Sequence, residues 1–312
     1  MPRIRKTPKT NESGLGADLV AVLAAVTDGE PRVMAVRDGS ALPSGPFRLA
    51  EHSLQSGLRA WVERQTGQPL GYIEQLYTFA DAQRAQGRAR RLISISYLGL
   101  TRESHVNAAL DADWHNWYKY FPWEDLRAGV PRVLRQEIVP HLKSWAGRAR
   151  DNATRRARSE RLAVSYGLGG LPWNEDLILQ RYELAYEAGL IAEAAGARTV
   201  EIPGRPMRGD HRRILATGIA RLRAKIKYRP VVFELLPPTF TLLQLQTTVE
   251  ALAGRLVHKP NFRRLIAQQD LVEATGATAA DTRGRPAKLY RFRRVLLAER
   301  AAVGTKLPLA RA

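Results

Sequence analysis

One eleven-residue stretch carries side chains whose chemistry suits the edges of base pairs. In Lys259-Pro-Asn-Phe-Arg-Arg-Leu-Ile-Ala-Gln-Gln269, helical spacing turns Asn261, Arg263, Arg264 and Gln268 outward, with Lys259 at the start. A guanidinium can donate two parallel hydrogen bonds to guanine, and a carboxamide can donate to and accept from adenine. Phe262, Leu265 and Ile266 are expected to anchor the helix from its other side. Pro260 falls in the first turn, where its missing N–H costs nothing. A second basic group follows in Arg283-Gly-Arg285, with Lys288 just beyond it. Arginine on a thin glycine loop can enter a narrow minor groove, where negative potential is concentrated.

These residues need elements to hold them. Upstream, Thr241 is a candidate N-cap with Gln244 three residues on. Leu242, Leu245, Val249 and Leu252 supply a buried face, and Gly254 a stop. Leu271–Thr275 and Lys288–Phe292 read as two strands around the basic loop. Helix, turn, helix and hairpin in that order predict a winged helix-turn-helix over residues 231–300, its second helix placed for the major groove.

Before it, residues 209–228 read as a helix with Ile214, Gly218, Leu222 and Ile226 on one side and Arg212, Arg213, Arg221, Arg223 and Lys225 around it. Lys227-Tyr-Arg-Pro230 ends it, because a residue preceding proline avoids helical geometry. This is expected to be a linker helix, 209–230. A helical insertion is expected at 128–208. Its neighbourhood holds the aromatic cluster Trp114, Trp117, Tyr118, Tyr120, Phe121 and Trp123, and an arginine run from Arg148 to Arg161. Ile178, Tyr182, Tyr186 and Leu190 recur every four residues, as core or dimer surface would. Residues 16–127 alternate between strand and helix character. Strands are expected at 18–26, 32–38, 72–81 and 91–100, with a helix at 53–66, giving a mixed sheet of the α/β or α+β class.

Composition narrows the partners. The 312-residue chain carries a formal net charge of +19 and no cysteine, which excludes disulfides and thiolate metal sites. Residues 206–312 hold 21 Lys/Arg against seven Asp/Glu, an excess of 14. Such a surface suits a polyanion, since phosphate contacts release condensed counterions. No window approaches eighteen uninterrupted apolar residues, so a membrane span is not expected. Residues 1–15 read as a basic disordered arm and 301–312 as a flexible tail.

Three stretches together resemble one family. They are Ala41-Leu-Pro-Ser-Gly-Pro-Phe47 with Gln65-Thr-Gly67; Tyr72-Ile-Glu-Gln-Leu-Tyr-Thr-Phe79 with Leu92-Ile-Ser-Ile-Ser-Tyr97; and Asn261-Phe-Arg-Arg264 with Gly284-Arg-Pro-Ala-Lys-Leu-Tyr-Arg-Phe292. The chain resembles the Nudix-related transcriptional regulators of NAD metabolism, the NrtR family, and in particular its NadQ-like branch. The resemblance implies an α+β fold, with an N-terminal Nudix-like α/β/α sandwich before the winged helix. It also implies a homodimer on a palindromic DNA operator in a bacterial cytoplasm, and a nucleotide effector such as ADP-ribose, NAD or ATP.

A Nudix hydrolase carries Gly-x5-Glu-x7-Arg-Glu-U-x-Glu-Glu-x-Gly-U, with U bulky and aliphatic. Its glutamates hold divalent cations against a diphosphate. Counted forward from Gly45, this chain offers Glu51, Arg59 and Glu63, but Ala60 and Arg64 replace two glutamates. Counted back from Gly67, Ala60, Trp61, Arg64 and Gln65 stand where Arg and three Glu belong. Hydrolysis is therefore not expected, and Arg59 and Glu63 are at the spacing of a surface ion pair. Arg37, Glu74, Tyr77 and Phe79 are expected on strands flanking this degenerate box, where Arg37 could meet a phosphate of the ligand and Tyr77 or Phe79 could stack a base. The alternatives are an active Nudix pyrophosphatase on ADP-ribose-like nucleotides and a non-specific architectural nucleic-acid binder.

Overall fold

The computed structural model describes residues 16–47, 53–80, 92–107, 109–194, 202–279 and 286–293. The arm at 1–15, the basic loop at 280–285 with Arg283 and Arg285, Glu51 and the tail beyond 293 lie outside them. Strand β1 (Gly16–Thr27) is the centre of the fold. Side chains alternate across a strand, and here both faces are apolar. Leu19, Ala21, Leu23 and Ala25 point to one side and Val20, Val22 and Ala24 to the other, all buried. Asp28 and Gly29, both at positive φ (52° and 73°), turn the chain into β2 (Glu30–Val36) as a two-residue hairpin.

Around β1 the sheet has the order β4-β5-β1-β2-β6, with β3 (Ser44–Pro46) paired to β1 off this path. The other strands are β4 (Tyr72–Phe79), β5 (Leu92–Leu100) and β6 (Ala112–Asn116). β5 runs parallel to β1, and the other pairings are antiparallel. Helix α1 (Leu54–Thr66) covers one face, placing Leu58 and Val62 on Leu19, Leu23, Met34, Tyr97 and Trp114. Ser53 and Ser56 form its capping box, and Gly67 ends it in the left-handed region.

The other face is covered by helices that follow the last strand of the sheet in the chain. α2 (Val139–Gly147) and α3 (Asn152–Tyr166) pair with each other. α4 (Ile178–Glu187) packs on α5 (His211–Lys225), and α5 lies on the sheet. Ile178 and Tyr182 are buried, so the four-residue stripe is core; Leu190 contributes from beyond the helix end.

The helix expected as a linker is α5, and it does more than connect. A Cβ built on Gly218 would fall 2.8 Å from the Val22 side chain, so the α5 backbone sits directly on that side chain of β1. It also carries Arg212 and Arg223 into the interior, joined by Arg181 of α4. Arg223 Nη1 donates to Glu124 Oε2 at 2.7 Å, and Arg181 Nη2 donates to the same oxygen at 2.8 Å. Arg212 donates to Glu193 Oε2 and to the Tyr120 carbonyl. Part of the aromatic cluster packs around these cations: Arg212 lies over the rings of Phe121 and Trp123, and of Tyr182 from α4, while Arg181 lies over Trp173.

Helix α6 (Leu242–Ala253) starts with the Thr241/Gln244 capping box and stops at Gly254, as the sequence predicts. After a short turn, α7 (Lys259–Gln269) carries Pro260 in its first turn. A hairpin of β7 (Val272–Thr278) and β8 (Lys288–Phe292) follows. Phe240 adds a bridge to Tyr290, and Phe233 stacks on Phe292 with centroids 4.3 Å apart. This is a winged helix whose two-stranded wing has its own aromatic support.

Candidate functional site

Helix α7 is seated by two side chains. Phe262 and Ile266, four residues apart, pack against the core from one side. Asn261, Arg263, Arg264 and Gln268 are all exposed, as is Lys259. None of these five side chains has a hydrogen bond or ion pair among the described residues. Leu265, expected as a third anchor, is instead 49% exposed. Two apolar residues one turn apart already fill the inner face, and Leu265 lies beside the outward row. Asp270, in the left-handed region at φ 51°, ends α7 and pairs with Arg293, which fixes the helix against the wing. Lys288 opens β8 opposite Thr278, exposed at the base of the wing loop.

The charge excess of the C-terminal third is smaller at the surface than in the sequence. Arg212, Arg223 and Lys225 are buried, and Arg213 pairs with Glu183. Their acidic partners Glu193, Glu124, Glu74 and Glu183 all come from earlier in the chain. Lys227 and Arg255 pair with Glu175. What remains uncompensated among the described residues of the winged helix includes Lys259, Arg263, Arg264 and Lys288. The arginine run on α3 is partly used as well. Arg156 pairs with Glu160, Arg161 with Glu187, and Arg158 lies over the Trp145 ring.

On the first face of the sheet, α1 presents Arg59, Ala60, Glu63 and Arg64 to solvent. Glu63 is its one carboxylate and stands between two arginines. The expected Arg59–Glu63 pair does not form, because Arg59 reaches across to the carbonyls of Leu70 and Gly71. Trp61 lies flat on Gly45, where a Cβ would come within 2.2 Å of the indole, and donates through Nε1 to the Pro46 carbonyl. Gln65 clasps Ser44 at both its N–H and its carbonyl. Loop and helix are thus tied by neutral groups rather than by shared cation ligands. Among the described residues, no three His, Cys, Asp or Glu side chains gather as a metal set.

The four proposed ligand contacts do not come together. Arg37 is in the turn after β2, at φ 56°, rather than on a strand. Three strand spacings, about 14 Å, separate β2 from β4 in the sheet. Glu74 is engaged on the α5 side, where it accepts from Lys225 and from the Tyr72 hydroxyl at 2.6 Å. Phe79 is buried beneath Arg213, whose guanidinium stands 5.0 Å from its ring centre. Tyr77 is 60% exposed and meets Phe79 edge-on, so of the two rings it is the one open to a base. The sequence could not sort these residues, because a register irregularity between Gln75 and Thr78 shifts the alternation along β4.

Comparison with known proteins fits this arrangement. Residues 232–292 match the family model of the NrtR DNA-binding winged helix domain. The ADPR responsive transcriptional repressor NtrR of Acinetobacter baylyi is 39% identical over 83 residues, which are 27% of this chain and 33% of that protein. The chain therefore matches about a third of that relative's length. The crystal structure of Shewanella oneidensis NrtR complexed with a 27mer DNA superposes with a TM-score of 0.53 at 21% identity, over 89% of this chain and 93% of that one. A MutT/nudix family protein from Enterococcus faecalis gives 0.51 at 16% identity, over 93% and 90%. The fold is a Nudix-like sandwich followed by an NrtR-type winged helix.

Proposed function

We propose that this chain is a transcriptional repressor of NAD-biosynthesis genes that binds DNA through its winged helix and responds to ADP-ribose through its Nudix-like domain. The observation that carries the reading is α7. Its outward residues, Asn261, Arg263, Arg264 and Gln268, are of base-reading types, are exposed and are free of partners among the described residues. They stand within the segment that matches a DNA-binding winged helix. The effector is inferred from the Acinetobacter baylyi relative, whose name gives it as ADPR responsive. In this reading residues 16–127 form the body of the sensing domain, and Tyr77, the exposed ring of β4, is the residue of the four that is open to a base. The protein acts as a homodimer in a bacterial cytoplasm, two winged helices meeting a palindromic operator.

The Nudix-like domain binds without cleaving. Holding Mg²⁺ against a diphosphate takes several carboxylates, and α1 offers Glu63 flanked by Arg59 and Arg64. Selection of duplexes from a random-sequence pool, followed by titration of the best binder with ADP-ribose, tests the reading. The full-length chain should prefer its selected duplex over unrelated DNA by roughly 10³-fold or more, and ADP-ribose should change that affinity. Arg264→Ala should weaken the selected duplex more than a random one; equal losses would reduce Arg264 to a phosphate contact. Turnover of ADP-ribose with Mg²⁺ at ordinary enzymatic rates, abolished by Glu63→Gln, would make the chain a pyrophosphatase instead.

A further inference from the structure

Leu265 is the residue of α7 that neither the folding core nor the hydrogen-bonding face explains. It sits four residues after Asn261, next to Arg264 and three before Gln268, so all four occupy neighbouring positions on the helix surface. The inner face is already held by Phe262 and Ile266. Leu265 remains 49% exposed, with three of the proposed base-reading side chains around it. The other large exposed apolar residues described in this domain, Leu243 and Leu256, lie on α6 and in the turn before α7.

We infer that Leu265 is a specificity-determining residue that packs against the C5-methyl group of a thymine in the major groove. The inference rests on the DNA-binding reading above and adds to it an apolar contact. Base pairs present hydrogen-bond donors and acceptors in the major groove, and one apolar feature, the thymine methyl. A leucine carried into the groove among Asn261, Arg264 and Gln268 gains nothing from the polar edges. It gains from a methyl by removing apolar surface of both partners from water. The polar neighbours fix the register, and Leu265 separates thymine from cytosine and from uracil at the position below it.

The test uses the full-length chain and the duplex it enriches from a random-sequence pool. Each thymine is replaced singly by deoxyuridine, which removes the methyl and keeps every hydrogen-bonding group. At one thymine position the replacement should weaken the native chain about fourfold, the size expected for one buried methyl. Leu265→Ala should bind the thymine duplex more weakly and be indifferent to deoxyuridine there, whereas Leu265→Met should keep the sensitivity. Circular dichroism of both variants should match the native chain, because an exposed side chain is changed. The inference is overturned if the native chain ignores every replacement, or if native and Ala proteins lose equally at the same position. Failure to enrich any sequence would overturn the regulator reading along with it. Enrichment without a methyl effect would overturn the Leu265 contact alone.

Discussion

At the scale of single residues, the most consequential feature away from the surface is Glu124, which accepts from Arg181 and Arg223 in a fully buried triad. Burial alone would raise its carboxyl, but the two guanidiniums outweigh that and hold it below its ordinary 4.5. Removing the charge strands two buried cations. Glu124→Gln should therefore cost about 3–5 kcal/mol in chemical denaturation, whereas Arg156→Ala, at the exposed Glu160 pair, should change little. The pH dependence has a definite sign. The folded pKa lies under the unfolded one, so the stabilisation is complete above pH 4.5 and is lost as pH falls through the folded value. The Gln variant should show a shallower acid loss in that window; identical acid curves would mean that the carboxyl does not carry the effect. None of this was legible in the sequence. Glu124 stands 57 residues from Arg181 and 99 from Arg223, so those arginines could be read only as charge.

At the scale of elements, local chemistry was readable and tertiary placement was not. The Thr241/Gln244 box, the Gly254 stop and Pro260 at the head of α7 depend on neighbours a few residues away, and each is found where the sequence places it. The burial of α5 depends on a sheet 196 residues earlier (Gly218 on Val22), and the exposure of Leu265 on how few anchors a short helix needs. Two glycine caps show the same division. Gly67 and Gly254 both end helices at positive φ, 66° and 70°. Among the described residues a Cβ on Gly67 would meet only Leu110, at 3.5 Å, so Gly67→Ala should cost about 1–2 kcal/mol of backbone strain. A Cβ on Gly254 would lie 2.3 Å from the Glu124 carbonyl and 2.8 Å from the Tyr118 hydroxyl. Gly254→Ala should add a packing penalty of about 1–3 kcal/mol to the same strain. Thermal unfolding of the two variants compares them directly. Equal costs would mean that the end of α6 is not clamped.

At the scale of the molecule, that clamp joins the winged helix to the Nudix-like sandwich. Tyr118 Oη donates to the Ala251 carbonyl at 2.7 Å, Arg223 Nε donates to the Leu252 carbonyl at 2.9 Å, and the Leu126 N–H donates to the Gly254 carbonyl at 2.6 Å. The carbonyl end of α6 is thereby bound to the 117–127 segment and to α5, which packs on the sheet. One buried cluster runs without a break from Val20 on β1 to Leu252 on α6, and Phe262 of α7 packs against it. A tether would let the two parts melt separately; a shared core should not. The full chain is expected to unfold in one calorimetric transition, and ADP-ribose, the effector proposed above, should raise the whole of it. At a hundredfold excess over its dissociation constant a ligand adds about 2.7 kcal/mol, which for a chain of this length moves the midpoint by about 4 °C. Such linkage is the precondition for an effector to act on α7, since it can shift only states that differ in their affinity for it. Two transitions, with ADP-ribose raising only one, would show that the winged helix folds by itself. The effector signal would then have to reach DNA by some route other than the end of α6.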